Sequence, residues 1–306
     1  MEKLWWNNRE IMKLPSVTIK HLLEAGVHLG HKTFRWNPKM SQFIFGAKNS
    51  IHIIDLVQTL EMINVALLKI HNCINSGGKI LFVSTKKQAS ATIASLAKDT
   101  SQYYVNHRWL GGMLTNWNTI SNSIKRYKKL SKDLQSENTG FTKKEILKMG
   151  IQRDKLERSL GGIADMVKVP DMIFIIDTNV EELAVKEALK LNIPIVAVVD
   201  TNSDPTGIDY PIPGNDDARR AINLYCELIK HTVLDAQKNI QKDDIKDSEN
   251  KDLSKDQKIE SKKINGEKNT KVNKKETKKA DKIQVVKKVS KSIISKVKSL
   301  TSKKSK

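Results

Sequence analysis

Two loops of the chain interleave residue types that can bind nucleic acid. The segments 31–39 and 106–117 each mix cationic, aromatic and amide side chains. Arg and Lys can neutralise phosphates, Trp can stack on a base or ribose, and Asn can hydrogen-bond to a base or sugar edge. A structural role is the alternative, in which the indoles of Trp36, Trp109 and Trp117 pack beneath the domain. We expect indoles that anchor the loops and polar groups that project from them.

The segment nearest to a phosphate-binding loop is 26–33. The GxxxxGK[ST] pattern requires glycine where His31 stands, and the segment follows a predicted helix instead of a strand. No GxGxxG occurs in the sequence. Ser84, Thr85 and Lys86 follow an apolar run and could include a nucleophile, but we interpret them as the N-cap of the next helix. We therefore predict no catalytic residue and no cofactor.

Histidine and aspartate residues give only weak indications of a metal site. His28 and His31 have a tolerable spacing for ligands, but no cysteine or second histidine pair completes a tetrahedral set, so a hydrogen-bonded structural role or a phosphate contact fits better. Two predicted strands end at Asp177 and Asp200, and no Lys or Arg occurs from Asp200 to Asp217. These carboxylates would repel a nucleotide phosphate unless a cation intervened. A Mg²⁺ site is the alternative, but Asp also caps helices and turns, and we predict no metal.

Charge is distributed unevenly over the 306 residues, whose formal net charge is +20. Residues 1–160 carry 25 basic and 11 acidic side chains, and residues 161–238 carry 7 and 13. Residues 239–260 carry 5 and 7, and residues 261–306 carry 17 and 3. Segregated charge predicts that one face meets a polyanion while another does not.

The sequence also indicates the cellular compartment of the protein. No apolar stretch approaches the ~20 residues needed to cross a bilayer, and the N-terminal segment lacks the apolar core of a signal peptide. Cys73 and Cys226 are isolated, so neither a disulfide framework nor a cysteine zinc site is expected. These features predict a cytoplasmic protein.

Short apolar runs alternate with helical segments over most of the chain. Runs without polar alternation are typical of strands buried on both faces, and this order predicts an α/β domain with a parallel sheet covered by helices. The predicted strands are 79–84, 102–105, 172–177, 193–200 and 210–212, with helices at 86–98, 180–191 and 216–237. A helix at 18–25, a hairpin formed by 43–45 and 51–54, and a helix at 55–75 precede them.

Two further segments lie outside this order. In 118–160, apolar residues recur at spacings of three, four and seven, which predicts an antiparallel helical hairpin that projects as a basic arm. Residues 239–280 contain too few apolar residues to offset chain entropy, so we expect disorder there. The pattern over 283–300 is that of a basic amphipathic helix, for which a solvated tail, RNA docking and a membrane surface are the alternatives. The predicted regions are 1–16 (N-terminal extension), 17–117 with 161–238 (α/β domain), 118–160 (arm) and 239–306 (tail).

Motifs in the same order from about residue 17 to residue 227 resemble one family. LLEAGVHLGHKTFRWNPKM, GGKILFVSTKKQA, YYVNHRWLGGMLTNW and IPIVAVVDTNSDP are similar to segments of the bacterial-type ribosomal small-subunit protein two family. The resemblance implies a Rossmann-like or flavodoxin-like α/β domain with a protruding coiled-coil hairpin. The chain departs from the family pattern in two places, its tail and the extension before Met12. The segment that begins at Met12, MKLPSVTIK, resembles a normal family start, so Met12 is a candidate initiator.

The resemblance implies a structural, non-enzymatic constituent of the small ribosomal subunit. The implied partners are small-subunit rRNA, neighbouring small-subunit ribosomal proteins and the large multi-OB-fold protein that captures mRNA. The competing hypotheses are a nucleotide- or metal-dependent α/β enzyme and a free RNA-binding or membrane-peripheral regulator that acts through the tail. The rRNA contacts that carry over from the family are Arg35, Trp36, Asn37, Lys39, Lys48, Asn49, Asn106, Arg108, Trp109, Lys125, Arg126 and Lys129.

Deletion of residues 261–306 is expected to lower affinity for RNA chiefly at low salt, because lysine contacts with phosphates act through counterion release. The measurement is the slope of log K against log salt concentration for the full chain and the truncated chain. An unchanged slope would show that the tail does not contact RNA.

Overall fold

The structure, a computed structural model, describes residues 15–135 and 141–240. The first described elements form a small antiparallel sheet: helix α1 (Ile19–Ala25), then strands β1 (Leu29–Lys32), β2 (Ile44–Lys48) and β3 (Ile51–Ile54), in the spatial order β1-β3-β2. The predicted hairpin is β2 and β3. Asn49 and Ser50 join them with φ of 52° and 58°, as a two-residue type I′ turn requires.

Strand β1 was not predicted. It has four residues, and it pairs with β3 from Leu29↔Ile53 to Lys32↔Ile51 with an irregularity between these positions. Its only apolar residue is Leu29, so the segment has no strand pattern of its own. Its extended form depends on its partner strand, which the local sequence does not reveal.

A five-stranded parallel sheet lies at the centre of the domain. Its strands are β4 (Ile80–Val83), β5 (Tyr103–Val105), β6 (Met172–Ile176), β7 (Ile195–Val199) and β8 (Tyr210–Pro213). Their spatial order is β5-β4-β6-β7-β8, and every neighbouring pair is parallel. Counted within this sheet the order is 2-1-3-4-5, the flavodoxin-like order of doubly wound folds. The predicted α/β class is confirmed.

Helices cover both faces of this sheet. They are α2 (Leu56–Asn75), α3 (Ser90–Asp99), α4 (Trp117–Gln135), α5 (Lys143–Leu160), α6 (Glu182–Lys190) and α7, which is described over 219–240. Asp55 caps α2 as predicted, since its side chain accepts a hydrogen bond from the backbone N–H of Val57. The predicted start of α3 is wrong. The helix begins at Ser90, and its N-cap, Ala89, makes no side-chain cap.

Alternate residues of each central strand enter different core layers. Phe82 and Phe174 point to the side of α2, α3 and α7, where their rings meet edge to face with centroids 5.9 Å apart. Leu81 and Ile173 point to the opposite side, towards α6 and the base of α4 and α5. Because all of these strand residues are buried, each contributes about 1.5–3 kcal/mol of burial free energy. The uninterrupted apolar runs of the sequence follow from this burial on two sides.

Helices α4 and α5 occupy the region predicted as an arm. Ile120, Ile124 and Leu160 are buried at their ends near the sheet, whereas Leu147 is 68% exposed. Across the pair, the Arg126 guanidinium donates to the Gln152 side-chain oxygen at 3.4 Å. Their link, 136–140, and the terminal segments 1–14 and 241–306 lie outside the described residues, as do the predictions made for them. Among the described helices, none is long and apolar enough to span a membrane.

Gly162 fixes the contact between the end of α5 and the sheet. A Cβ at this position would overlap the carbonyl oxygen and ring of Tyr104. By contrast, Gly150 lies inside α5, and a Cβ there would contact nothing within 4 Å beyond the backbone of its own helix. The base of the α4–α5 pair can therefore approach β5 only because residue 162 has no side chain.

Gly162→Ala is expected to destabilise the protein by about 1–3 kcal/mol, because backbone and ring must move to admit the methyl group. The matched control, Gly150→Ala, should stabilise it by about 0.5–1 kcal/mol, since alanine is the better helix former. Urea unfolding of both variants measures the difference. Equal effects of the two substitutions would contradict the packing argument.

Candidate nucleic-acid interface

Asn37 and Lys39 hold the first basic loop against the segment that follows β7. The backbone N–H of Asn37 donates to the Thr201 carbonyl at 2.8 Å, and its side-chain oxygen accepts from the Lys39 N–H at 3.0 Å. The Lys39 ammonium lies 2.6 Å from Asp204 and 3.1 Å from the Thr206 hydroxyl. The Lys39 ammonium and the Thr206 hydroxyl lower the pKa of Asp204 to about 2. Both predicted contact residues therefore also shape the loop.

Other residues of this loop and of the adjacent hairpin project into solvent. The Arg35 guanidinium is exposed and lies 5.6 Å from the centre of the Phe34 ring, which is itself 74% exposed. Trp36 is partly exposed and packs beside the His52 ring, with centroids 5.4 Å apart. Lys48 and Asn49 are exposed in the turn between β2 and β3. This side of the three-stranded sheet thus presents cations beside aromatic rings.

The second loop divides its predicted contacts in the same way. Trp109 is 6% exposed, and its indole N–H donates to Glu187 at 3.0 Å. The Asn106 side chain donates to the Ser90 carbonyl, and the Asn106 carbonyl accepts from the Ser90 hydroxyl at 2.8 Å. Arg108, between them, is exposed. Asn106 and Trp109 therefore hold the loop, and Arg108 projects from it.

A cavity of about 670 Å³ separates this loop from α5. The loop supplies His107 and Arg108 to its lining, and α5 supplies Lys155 and Arg158. Sequence reasoning missed Arg158, because nothing in the local pattern places it beside the loop. The apolar part of the lining comes from Trp109, Leu110, Ile151 and Leu183.

The predicted contacts on α4 lie on its exposed surface. Lys125, Arg126 and Lys129 are all exposed, and Arg126 contacts α5 through Gln152. Their neighbour Lys128 forms an ion pair with Asp165 at 3.0 Å, near the end of α5. The basic surface therefore continues from the second loop onto the helix pair.

The carboxyl ends of the parallel strands form a separate, acidic site. The Lys86 ammonium lies 2.7 Å from Asp177, 2.9 Å from Asp216 and 2.7 Å from Asp217. The predicted N-cap role of Ser84–Lys86 is wrong, because α3 begins only at Ser90, and Lys86 instead takes part in this site. The backbone N–H of Thr85 donates to the Glu181 carboxylate at 2.6 Å.

His31 joins this acidic site from the small sheet. Its Nδ1 lies 2.9 Å from Asp200, and its Nε2 lies 3.4 Å from Asp217. The hydrogen bond to Asp200 raises the pKa of His31, and burial opposes this shift. The predicted role of His31 as a structural, hydrogen-bonded residue fits these contacts, which bring together residues far apart in the chain.

Burial dominates the titration of the innermost carboxylate. It raises the pKa of Asp216 to about 7, with repulsion from Asp177 and Asp200 acting in the same direction and Lys86 opposing it. Burial lowers the pKa of Lys86, but the carboxylates outweigh burial and hold the pKa above its usual value. The ammonium therefore stays charged and is the cation that the carboxylates require.

The acidic site offers ligand atoms for a metal ion. Among the described residues, one oxygen or nitrogen each from His31, Asp200 and Asp216 lie within 4.8 Å of one another. For a nucleotide the site is less suited. The crevice between β4 and β6 is the topological switch point where doubly wound sheets bind ligands, and there the Lys86 ammonium and the Thr85 N–H already have carboxylate partners.

The fold and its sites define a doubly wound α/β protein. Its crevice is closed by its own ion pairs, and its exposed cations lie on loops and helices beside the sheet. The chain belongs to the ribosomal protein S2 family, whose sequence model matches residues 22–236. The resemblance found in the sequence is thereby confirmed.

Several relatives are similar over the same region. The chain is 57% identical over 224 residues to the small ribosomal subunit protein uS2 of Parvibaculum lavamentivorans. The aligned region covers 73% of this chain and 88% of the relative. The chain is 59% identical to the uS2 proteins of Sinorhizobium medicae and Brucella suis over the same length and the same shares. It is thus a ribosomal protein of the small subunit, located on the cytoplasmic ribosome, and not an enzyme.

Lys86→Met is expected to destabilise the protein by about 3–5 kcal/mol, because it leaves buried carboxylates without a cation. The pKa of Asp216 is raised in the folded state, so protonation favours folding and the stability of the variant should fall further as pH rises from about 5 to about 8. Urea unfolding at both pH values measures the effect.

The neighbouring residue supplies the control for this substitution. Lys87 is exposed, and Lys87→Met should change stability by no more than about 0.5 kcal/mol. Equal effects at positions 86 and 87, or a Lys86→Met variant that becomes more stable at the higher pH, would contradict the ion-pair argument.

Proposed function

We propose that the protein is a structural constituent of the small subunit that binds small-subunit rRNA through its basic loops and arm. One observation carries this proposal. Arg35, Lys48 and Arg108 are exposed and form no ion pair with a carboxylate among the described residues, whereas Lys39 and Lys86 do. Cations that lack internal partners are available to phosphates, which supply most of the affinity in protein–nucleic acid contacts.

The cations are distributed over several elements. Arg35 follows β1, Lys48 ends β2, Arg108 follows β5, and Lys125, Arg126 and Lys129 lie on α4. Such a spread suits a folded RNA, whose backbone offers phosphates at many positions and whose unpaired bases can meet an exposed ring. Trp36 supplies one such ring, since it is 39% exposed.

The proposal includes protein partners. Phe34, just after β1, and Phe45, on β2, are 74% and 80% exposed. Aromatic residues are enriched at protein–protein interfaces. Neighbouring small-subunit proteins, and the large multi-OB-fold protein that captures mRNA, are the partners that the family resemblance implies.

The proposal also assigns the segments beside the α/β domain. Residues 118–160 act as a coiled-coil arm, which the packing of α4 on α5 supports. Residues 241–306, which follow α7, act as a lysine-rich tail, for which their composition is the support.

Arg108→Ala is expected to lower affinity for small-subunit rRNA about fivefold to tenfold at low salt, because it removes one phosphate contact. The same loss should reduce the salt slope by about 0.9. Filter binding over a salt series measures both, and incorporation into reconstituted small subunits should fall in parallel.

Arg220→Ala is the matched control. Arg220 is also an exposed arginine but lies at the start of α7, in the acidic part of the chain, so its removal should leave affinity and salt slope unchanged. Equal losses for the two variants would mean that binding depends only on net charge. An unaffected Arg108→Ala variant would remove the second loop from the rRNA interface.

A further inference from the structure

The Glu187 carboxylate accepts five hydrogen bonds from the segment 109–115. One oxygen, Oε1, accepts from the Trp109 indole at 3.0 Å and from the Gly112 N–H at 2.7 Å. The other, Oε2, accepts from the N–H of Leu114 at 2.9 Å and from the N–H and hydroxyl of Thr115 at 3.1 and 3.2 Å. A single side chain of α6 thus organises most of the second loop.

The loop around Glu187 has the geometry of an anion-binding nest. Backbone N–H groups converge on one point where the chain turns through the left-handed region, and Gly112 has φ of 76°. Burial raises the pKa of Glu187, but the donors outweigh burial and hold the pKa below its usual value. The nest therefore contains a negatively charged group that belongs to the protein itself.

This arrangement determines which groups of the loop remain available to bind RNA. The amides that could bind a phosphate are already paired with Glu187. The residue beside the nest is Arg108, whose neighbour Trp109 is held by the same carboxylate, so the position of the Arg108 backbone follows from that contact. Arg108 lines the cavity described above, together with Asp154, Lys155 and Arg158 of α5.

We propose that Glu187 is a positioning residue for RNA binding: its carboxylate serves as the internal anion that shapes the 109–115 segment and thereby places Arg108 at the rRNA surface. This inference rests on the proposed function. Glu187 itself does not contact RNA, because both of its carboxylate oxygens are already engaged by the loop donors. An acidic residue is thus required for the binding of a polyanion.

The test is a double-mutant cycle between Glu187→Gln and Arg108→Ala, measured as affinity for small-subunit rRNA. Glutamine keeps the shape of the side chain but replaces one acceptor oxygen by a donor and removes the charge. We expect Glu187→Gln alone to weaken binding about tenfold, equivalent to the loss of one charge-assisted contact. This is the opposite of the effect expected from net charge, since the substitution removes a negative charge from a protein that binds a polyanion. The double variant should bind little worse than either single variant, since Glu187 acts through Arg108.

The control is Glu182→Gln, which removes an exposed carboxylate from the same helix. It should strengthen binding slightly or leave it unchanged, because RNA repels acidic residues. Losses that add in the Glu187→Gln/Arg108→Ala double variant would overturn the inference. So would a Glu187→Gln variant that binds as well as Glu182→Gln. If Arg108→Ala alone has no effect, the rRNA contact proposed for Arg108 fails first, and the cycle identifies that outcome separately.

Amide hydrogen exchange distinguishes positioning from general stability. In folded Glu187→Gln, protection should fall at Gly112, Leu114 and Thr115 and stay unchanged in the central strands, for example at Phe82 and Phe174. A uniform loss across the sheet would overturn the inference. Should Glu187→Gln not fold, Glu187→Asp takes its place in the cycle. It keeps the charge but withdraws it by one methylene group, and additive losses with Arg108→Ala would again count against positioning.

Discussion

The ion pairs of the Lys86 ammonium determine how the carboxyl ends of the parallel strands come together. Lys86 follows β4, Asp177 follows β6, and Asp216 and Asp217 follow β8, and all three carboxylates lie within 3 Å of the ammonium. Four acidic groups at one sheet edge would otherwise repel one another in a region of low dielectric. His31 extends the network by joining Asp200, after β7, to the small sheet. One cation therefore makes a tight, acidic sheet edge compatible with folding.

The same network separates this protein from the enzymes that share its fold class. Doubly wound sheets bind nucleotides at the switch point by presenting unpaired donors there. Here the donors at that point are already engaged by Asp177 and Glu181. The exposed cations Arg35, Lys48 and Arg108, which form no ion pair with a carboxylate among the described residues, lie instead on the loops beside the sheet. The acidic 161–238 region and the basic 1–160 region of the sequence correspond to these two roles.

Local pattern was sufficient to predict the elements that are stabilised locally or buried on both sides. Four apolar runs and the short segment 210–212 predicted the central strands, Asp55 predicted the start of α2, and the segment 47–50 predicted the β2–β3 turn. Elements that depend on distant partners were not predictable. Strand β1 pairs with β3, and Lys86, which was predicted to cap α3, pairs instead with residues more than 90 positions away. The contact of Glu187 with the 109–115 segment is of the same kind, because the local sequence around Glu187 does not indicate that this segment lies beside it.

Residue type likewise does not reveal which cation of a basic loop is available to a ligand. Lys39 and Arg35 lie four positions apart, yet Lys39 pairs with Asp204 and Arg35 faces solvent. Arg108 projects because Asn106 and Trp109 on either side are held by Ser90 and Glu187. A loop held in this way loses little conformational entropy on binding, and preorganisation of this kind raises affinity without adding a contact. In the proposed rRNA complex, the internal carboxylate therefore favours the binding of a polyanion. It orders the loop before binding, and its own charge stays away from the RNA surface.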